Sequence, residues 1–178
     1  FFCRIESMLK AKLKNHYLKK KIDQFSKTKS SSANGSAQKI KRVGIITSDN
    51  FFNKYEFSEI LIKKLQLRNP KVYSYRKFSK DHKKSYKHFS EKDFNWKGHV
   101  LDSSFQSFLE EPFDLLICYY PKKNIFLEYA EASSQATFKV GFSDASTGFF
   151  NLDIACDENR VDLFFDEMKK YLKILHKL

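Results

Sequence analysis

Long apolar runs are missing from this 178-residue chain, and nothing approaches the roughly 18 consecutive apolar residues that a membrane span needs. Cysteine is scarce. Cys3, Cys118 and Cys156 are three in number, so one is left over from any internal pairing, and none lies in a C-x-x-C pair. Cys118 sits inside an apolar run and Cys156 ends another, which reads as small buried hydrophobes in a reducing, cytoplasmic compartment. Glycine is also sparse, with five residues. The first apolar strand carries only Gly44, inside it; no G-x-G-x-x-G follows, and no G-x-x-x-x-G-K-[ST] occurs anywhere. NAD and P-loop chemistry are therefore disfavoured and no cofactor is expected. The five His show no H-E-x-x-H or Cys/His spacing, and His82 and His88 are too far out of phase for one helix face, so no metal site is expected. No G-x-S-x-G elbow is present either. The opening Phe1-Phe2-Cys3-Arg4 is too short for a secretory apolar region. Position 1 is not Met while Met8 opens a helical pattern, so residues 1–7 read as an extension or a truncation scar.

What is present is positive charge, in two blocks. Residues 1–42 carry twelve Lys/Arg against two acids, and residues 63–97 carry twelve against three. Residues 43–62 come to −2 and residues 98–178 to −5, within a total of +12. Such asymmetry, with a pI near 9.5, points to nucleic acid, another polyphosphate or anionic lipid as partner. A solvated, solubilising face would look the same. Hydrophobic content of 42% and aromatic content of 16% exclude a wholly disordered chain.

From Arg4 to about Lys27 the pattern is helical, with Ile5, Met8, Leu9, Leu13, Tyr17, Ile22 and Phe25 as an apolar stripe. Ser30-Ser31-Ser32-Ala33-Asn34-Gly35-Ser36 reads as a flexible linker. Residues 1–29 are thus expected as a basic helical arm, 30–38 as a hinge and 39–178 as the main domain. The arm would either pack back or reach outward. Val43–Ile46 reads as a buried strand ending in the polar loop Thr47–Asn50. A helix follows over Phe57–Leu65, then a strand at Val72–Tyr75. Residues 76–99 carry no readable element. A short helix at Ser103–Glu111, a strand at Phe113–Tyr120, a helix from about Asn124 to Ala132, strands at Thr137–Phe142 and Phe150–Ala155, and a terminal helix with Val161, Phe164, Phe165, Met168, Leu172 and Leu175 on one core-facing stripe complete the pattern. Strands alternating with helices predict an α/β fold: a Rossmann-like, mostly parallel sheet flanked by helices and preceded by the basic N-terminal helix.

In such sheets ligands bind beyond the carboxyl ends of the strands. Three loops qualify, offering Thr47, Ser48, Asp49 and Asn50; then Tyr120, Lys122 and Lys123; then Ser143, Asp144, Ser146 and Thr147. Lysines, hydroxyls and a helix start can hold a phosphate, although Thr47, Ser48 and Asp49 serve equally as a helix cap and turn. Asp49 and Asp144 would form an acid/base pair only if they converge. In the second basic block, Arg76, Lys77, Lys80, Lys83, Lys84, Lys87, Lys92 and Lys97 interleave with Phe78, Tyr86, Phe89 and Trp96. Lysines neutralise phosphates and exposed aromatics stack on unpaired bases. The same aromatics, Trp96 above all, serve equally as anchors to the core.

Phe113-Asp114-Leu115-Leu116-Ile117-Cys118-Tyr119-Tyr120, Phe138-Lys139-Val140-Gly141-Phe142-Ser143 and the terminal Tyr171–Leu178 together resemble an uncharacterised bacterial, Bacteroidota-type family of small basic cytoplasmic proteins that carries a domain of unknown function. The Lys-rich first helix and the Val43–Ile46 strand with its Asp49 fit as well. The resemblance implies a Rossmann-like fold and carries over no catalytic residue. The run ending in Val140-Gly141-Phe142 is also similar to the acceptor half of heptosyltransferase-like glycosyltransferases, which need a second Rossmann domain. The expectation is a non-enzymatic binding protein contacting RNA, with the ribosome as one setting. The alternative is a domain binding a nucleotide or sugar phosphate. The arm could also engage a protein partner or an anionic membrane surface.

Overall fold

Val43–Ser48 forms β1, buried through Thr47, as befits a β-branched run covered on both faces. The computed structural model describes residues 2–29, 39–82, 85–145 and 148–178. The expected hinge at 30–38, Lys83, Lys84, Ser146 and Thr147 lie outside the described residues. The remaining strands are β2 (Lys71–Tyr75), β3 (His88–Phe89), β4 (Leu115–Tyr119), β5 (Phe138–Phe142) and β6 (Leu152–Ile154). All pair parallel in the order β3-β2-β1-β4-β5-β6, so the strand order reverses between β1 and β4. The α/β class and Rossmann-like topology expected from the alternation are what the chain adopts.

Six helices flank the sheet: α1 (Phe2–Lys29), α2 (Asp49–Lys54), α3 (Phe57–Leu65), α4 (Ser103–Glu110), α5 (Ile125–Ser133) and α6 (Val161–Ile174). On one face α3 meets α6, and Tyr119 of β4 fills the space beneath them. Its ring lies 5.4 Å from Phe57, 4.9 Å from Phe142 and 5.1 Å from Phe164, all edge-on. On the other face α4 and α1 meet α5, and Tyr73 packs 4.7 Å from Phe108 while Phe89 stacks 4.1 Å from Phe105. Adjacent residues of a strand point to opposite faces, which is how Tyr119 and its neighbour Cys118 serve different layers.

Four expectations need correction. Thr47–Asn50 is not a loop. β1 continues through Ser48, whose extended backbone (φ −91°, ψ 157°) caps α2, and Asp49 occupies the first helical turn, where an acid suits the helix dipole. The unread segment after Tyr75 contains β3 and a 3-10 turn at Glu91–Asp93, closed by a reciprocal cap between Ser90 and Asp93. The apolar stripe of the arm is displaced: Met8, Leu9 and Leu13 are exposed, while Leu18 is fully buried and Ile22 and Phe25 pack on the core. The side chains of α1 that pack on the core come from its second half, so burial follows the docking site rather than the whole periodicity. Finally, the terminal stripe stops at Leu172: Leu175 lies past the end of α6 and is exposed. No sequence pattern marks the lysine that β5 buries. Lys139 Nζ donates to the carbonyls of Glu131 and Ser134 at the end of α5, and Tyr120 Oη donates to the buried Glu131 carboxylate. Partners of this kind are what make a buried ion tolerable.

Candidate anion-binding surface and strand-end clefts

The two basic blocks, far apart in sequence, meet in space. Lys14 Nζ donates to the Glu91 carbonyl (2.6 Å) and Lys21 Nζ to the Gly98 carbonyl (2.9 Å). Burial lowers the pKa of both ammonium groups. Tyr17 meets Trp96 edge to face at 5.8 Å. Leu18 fits against Gly98, whose φ of +69° is left-handed; a Cβ there would stand 3.1 Å from the leucine. Of the two alternatives for the arm, the described residues of α1 take the first, packing back on the domain. The contact continues away from α1: Lys92 Nζ lies 5.0 Å above the Phe78 ring, and the Phe78 N–H donates to Glu91 Oε2. The arm, the 91–98 loop and the start of the 76–82 stretch are therefore in contact, and both basic blocks are carried on these joined segments.

The expected cations on this surface divide by environment. Lys77, Lys80, Lys87 and Lys97 are exposed. Arg76 is not available in the same way. Its Nε and Nη2 both reach Asp49 Oδ1 at 2.8 Å, and Nη2 also donates to His88 Nε2 at 2.9 Å. Because Arg76 can only donate, His88 Nε2 must accept, which places the imidazole proton on Nδ1, where it is donated to the buried Ser74 Oγ. Burial and then the Arg76 charge push His88 below its ordinary pKa, against the opposing pull of Asp49. A cleft of about 260 Å³ opens beside this network, with Arg76, Lys77, His82 and Lys92 on its walls and Phe78 and Phe89 contributing apolar surface. Phe78, which lines it, is 46% exposed; elsewhere in the segment Tyr86 is 75% exposed and Trp96 48%. Phe89, by contrast, is core. Trp96 is both an anchor, through Tyr17, and a half-open ring with Lys97 Nζ 5.0 Å above it.

The strand-end candidates divide too. Thr47 is buried and its hydroxyl donates to the Tyr119 carbonyl at 2.8 Å, which ties β1 to β4. Ser48, Asn50, Lys122 and Lys123 come together around a second cleft of about 260 Å³ between the ends of β1 and β4. Tyr75, Tyr120 and Glu158 also line it. Burial and the nearby Glu91 carboxylate push the Tyr75 phenol up to about 12. Asp49 belongs elsewhere, held on the β2 side by Arg76. Ser143 and Asp144 form a turn directly after β5, two strands from β1, and do not line this cleft. Asp49 thus faces Arg76 and His88 on the side of β1 opposite to β5, and no acid pair of Asp49 with Asp144 is formed.

Ser74, His88 and Glu158 escaped sequence reasoning. A two-residue strand such as His88–Phe89 is too short to show periodicity, and Ser74 looks like any alternating polar residue. Glu158 is placed by its backbone, whose carbonyl accepts the Tyr119 hydroxyl at 2.8 Å. Among the described residues no group of three or more His, Cys, Asp or Glu could hold a metal ion, and no helix is long and apolar enough to cross a membrane.

Searches of curated proteins and of solved structures each return no match. The model of one family matches residues 10–175, so with a parallel sheet, a docked basic helix and two strand-end clefts, the chain belongs to DUF6913, a family of unknown function.

Proposed function

We propose that the protein binds single-stranded RNA across the surface formed by α1 and residues 76–97. The observation that carries this is the junction of the two basic blocks through Lys14, Lys21 and Tyr17. Gathering like charge on one side works against folding, and a polyanionic ligand turns that cost into binding energy. Tyr86, Trp96 and Phe78 supply exposed rings among exposed lysines, the pairing that unstacked bases require. The cleft lined by Lys77, Lys92 and Phe78 has room for an extruded base. On this reading the protein works in the bacterial cytoplasm, as a recognition module rather than an enzyme.

Fluorescence anisotropy with a labelled single-stranded RNA tests it. Binding is expected at low salt, falling steeply as salt rises, and weakened at least about tenfold by Lys77→Glu, Lys80→Glu and Lys87→Glu together. Absence of binding at low salt, indifference to those changes, or retention by anionic vesicles in place of RNA would each overturn the proposal.

A further inference from the structure

The crevice between β1 and β4 is separate from the basic surface and has its own chemistry. It lies where the strand order reverses, the place at which open parallel sheets hold ligands. Two exposed ammonium groups, Lys122 and Lys123, sit on its rim, and neither makes an ion pair among the described residues. The start of α5 is not what attracts an anion here. Asn124 Oδ1 already accepts from the Phe126 and Leu127 N–H groups, so the first turn is satisfied internally. Any anion in the crevice would be held by the lysines.

Aromatic rings form part of the wall, beside the polar Ser48, Asn50 and Asn124. Phe51 packs edge-on against Tyr119 at 5.3 Å, and Tyr75 stacks on Phe126 at 5.4 Å, which fixes both rings. Tyr120 is held by its buried bond to Glu131. Ser48 lines the crevice and makes no side-chain capping bond to α2. Glu158 brings a carboxylate acceptor, suited to sugar hydroxyls and opposed to a long polyphosphate. At about 260 Å³ the space is below the range of about 300–1,000 Å³ usual for drug-sized ligands, which excludes a dinucleotide.

We infer that this crevice binds a ribonucleoside monophosphate, with the phosphate on Lys122 and Lys123, the base against the half-buried Phe51 and Tyr75 rings, and the ribose toward Glu158. Isothermal titration calorimetry of the full chain with the ribonucleoside monophosphates, the parent nucleosides and inorganic phosphate tests this. At least one monophosphate should bind saturably, and more tightly than either its nucleoside or phosphate alone. Lys122→Ala with Lys123→Ala, both exposed positions, should weaken it at least about tenfold without changing Tm. Lys80→Glu with Lys87→Glu, aimed at the RNA surface, should leave it unchanged, so each proposal can fail alone. No saturable heat at millimolar monophosphate, equal affinity for inorganic phosphate, or indifference to the Lys122 and Lys123 changes would overturn the inference.

Discussion

Strand β4 and the segment between β2 and α4 are built on opposite terms. All of β4, Leu115 to Tyr119, is buried, and its rings and aliphatic chains are gripped from two helical layers. Among its described residues the segment from Arg76 to Gly98 holds a two-residue strand and one 3-10 turn; it carries most of the second basic block and leaves Tyr86, Trp96 and Phe78 substantially open. The first region supplies stability and has no surface to offer. The second contributes surface and leans on the scaffold at Phe89, Phe94 and its contacts with α1. Substitutions in the two should therefore separate folding from binding.

The largest effect is expected at the scaffold. Tyr119→Ala removes a ring that touches both α3 and α6 and should destabilise the protein by about 3–5 kcal/mol, read as a denaturant midpoint. Exchanging Lys77, Lys80 and Lys87 for Glu should instead shift stability by no more than about 0.5 kcal/mol per site while RNA binding falls. A large stability loss from the lysine changes would break the comparison.

Gly98→Ala tests the seam between the arm and the loop. A left-handed backbone costs a residue with a Cβ about 1–2 kcal/mol, and the added methyl presses on Leu18. Faster amide hydrogen exchange in α1 around Lys14–Phe25, with β4 unchanged, is the expected result. Uniform acceleration across both would mean that arm and sheet unfold as one unit.

The smallest effect concerns His88. Burial and the Arg76 charge hold its pKa below the ordinary value in the folded state, while in the unfolded chain it takes up a proton near pH 6.5. Below that pH the unfolded state binds more protons, so stability falls as pH falls and is fully present above it. His88→Gln should flatten this slope in urea titrations between about pH 7 and 5. An unchanged slope would remove His88 as its source.

Much of the scaffold could be read from residue order alone. Phe113–Tyr120 and Thr137–Phe142 are short apolar runs with helices between them, and periodicity reports such elements directly. Leu18 was missed because its burial depends on where α1 docks, which is a tertiary fact. The Asp49–Arg76–His88–Ser74 network was missed for a similar reason. It joins residues from three strand ends, and one of those strands is two residues long. Of the strand-end candidates, Ser48, Asn50, Lys122 and Lys123 do converge, because β1 and β4 are neighbours. Ser143 and Asp144 do not, because β5 lies one strand further out.

The central claim is that two sequence-distant basic blocks act as one RNA-binding face. Lys10 and Lys20 stand seven before and three after Tyr17, and Lys27 seven after Lys20, so they flank the side of α1 that meets Trp96. Lys12 and Lys19 fall on the other flank. The dependence of RNA affinity on salt counts the phosphates engaged, with a slope of about 0.7 per contact on single strands. Alanine at Lys10, Lys20 and Lys27 should lower that slope, as should alanine at Lys77, Lys80 and Lys87, and the combined variant should lower it by the sum of the two. Alanine at Lys12 and Lys19 should leave it unchanged. A slope indifferent to the α1 changes, with the second block accounting for all of it, would contradict the claim.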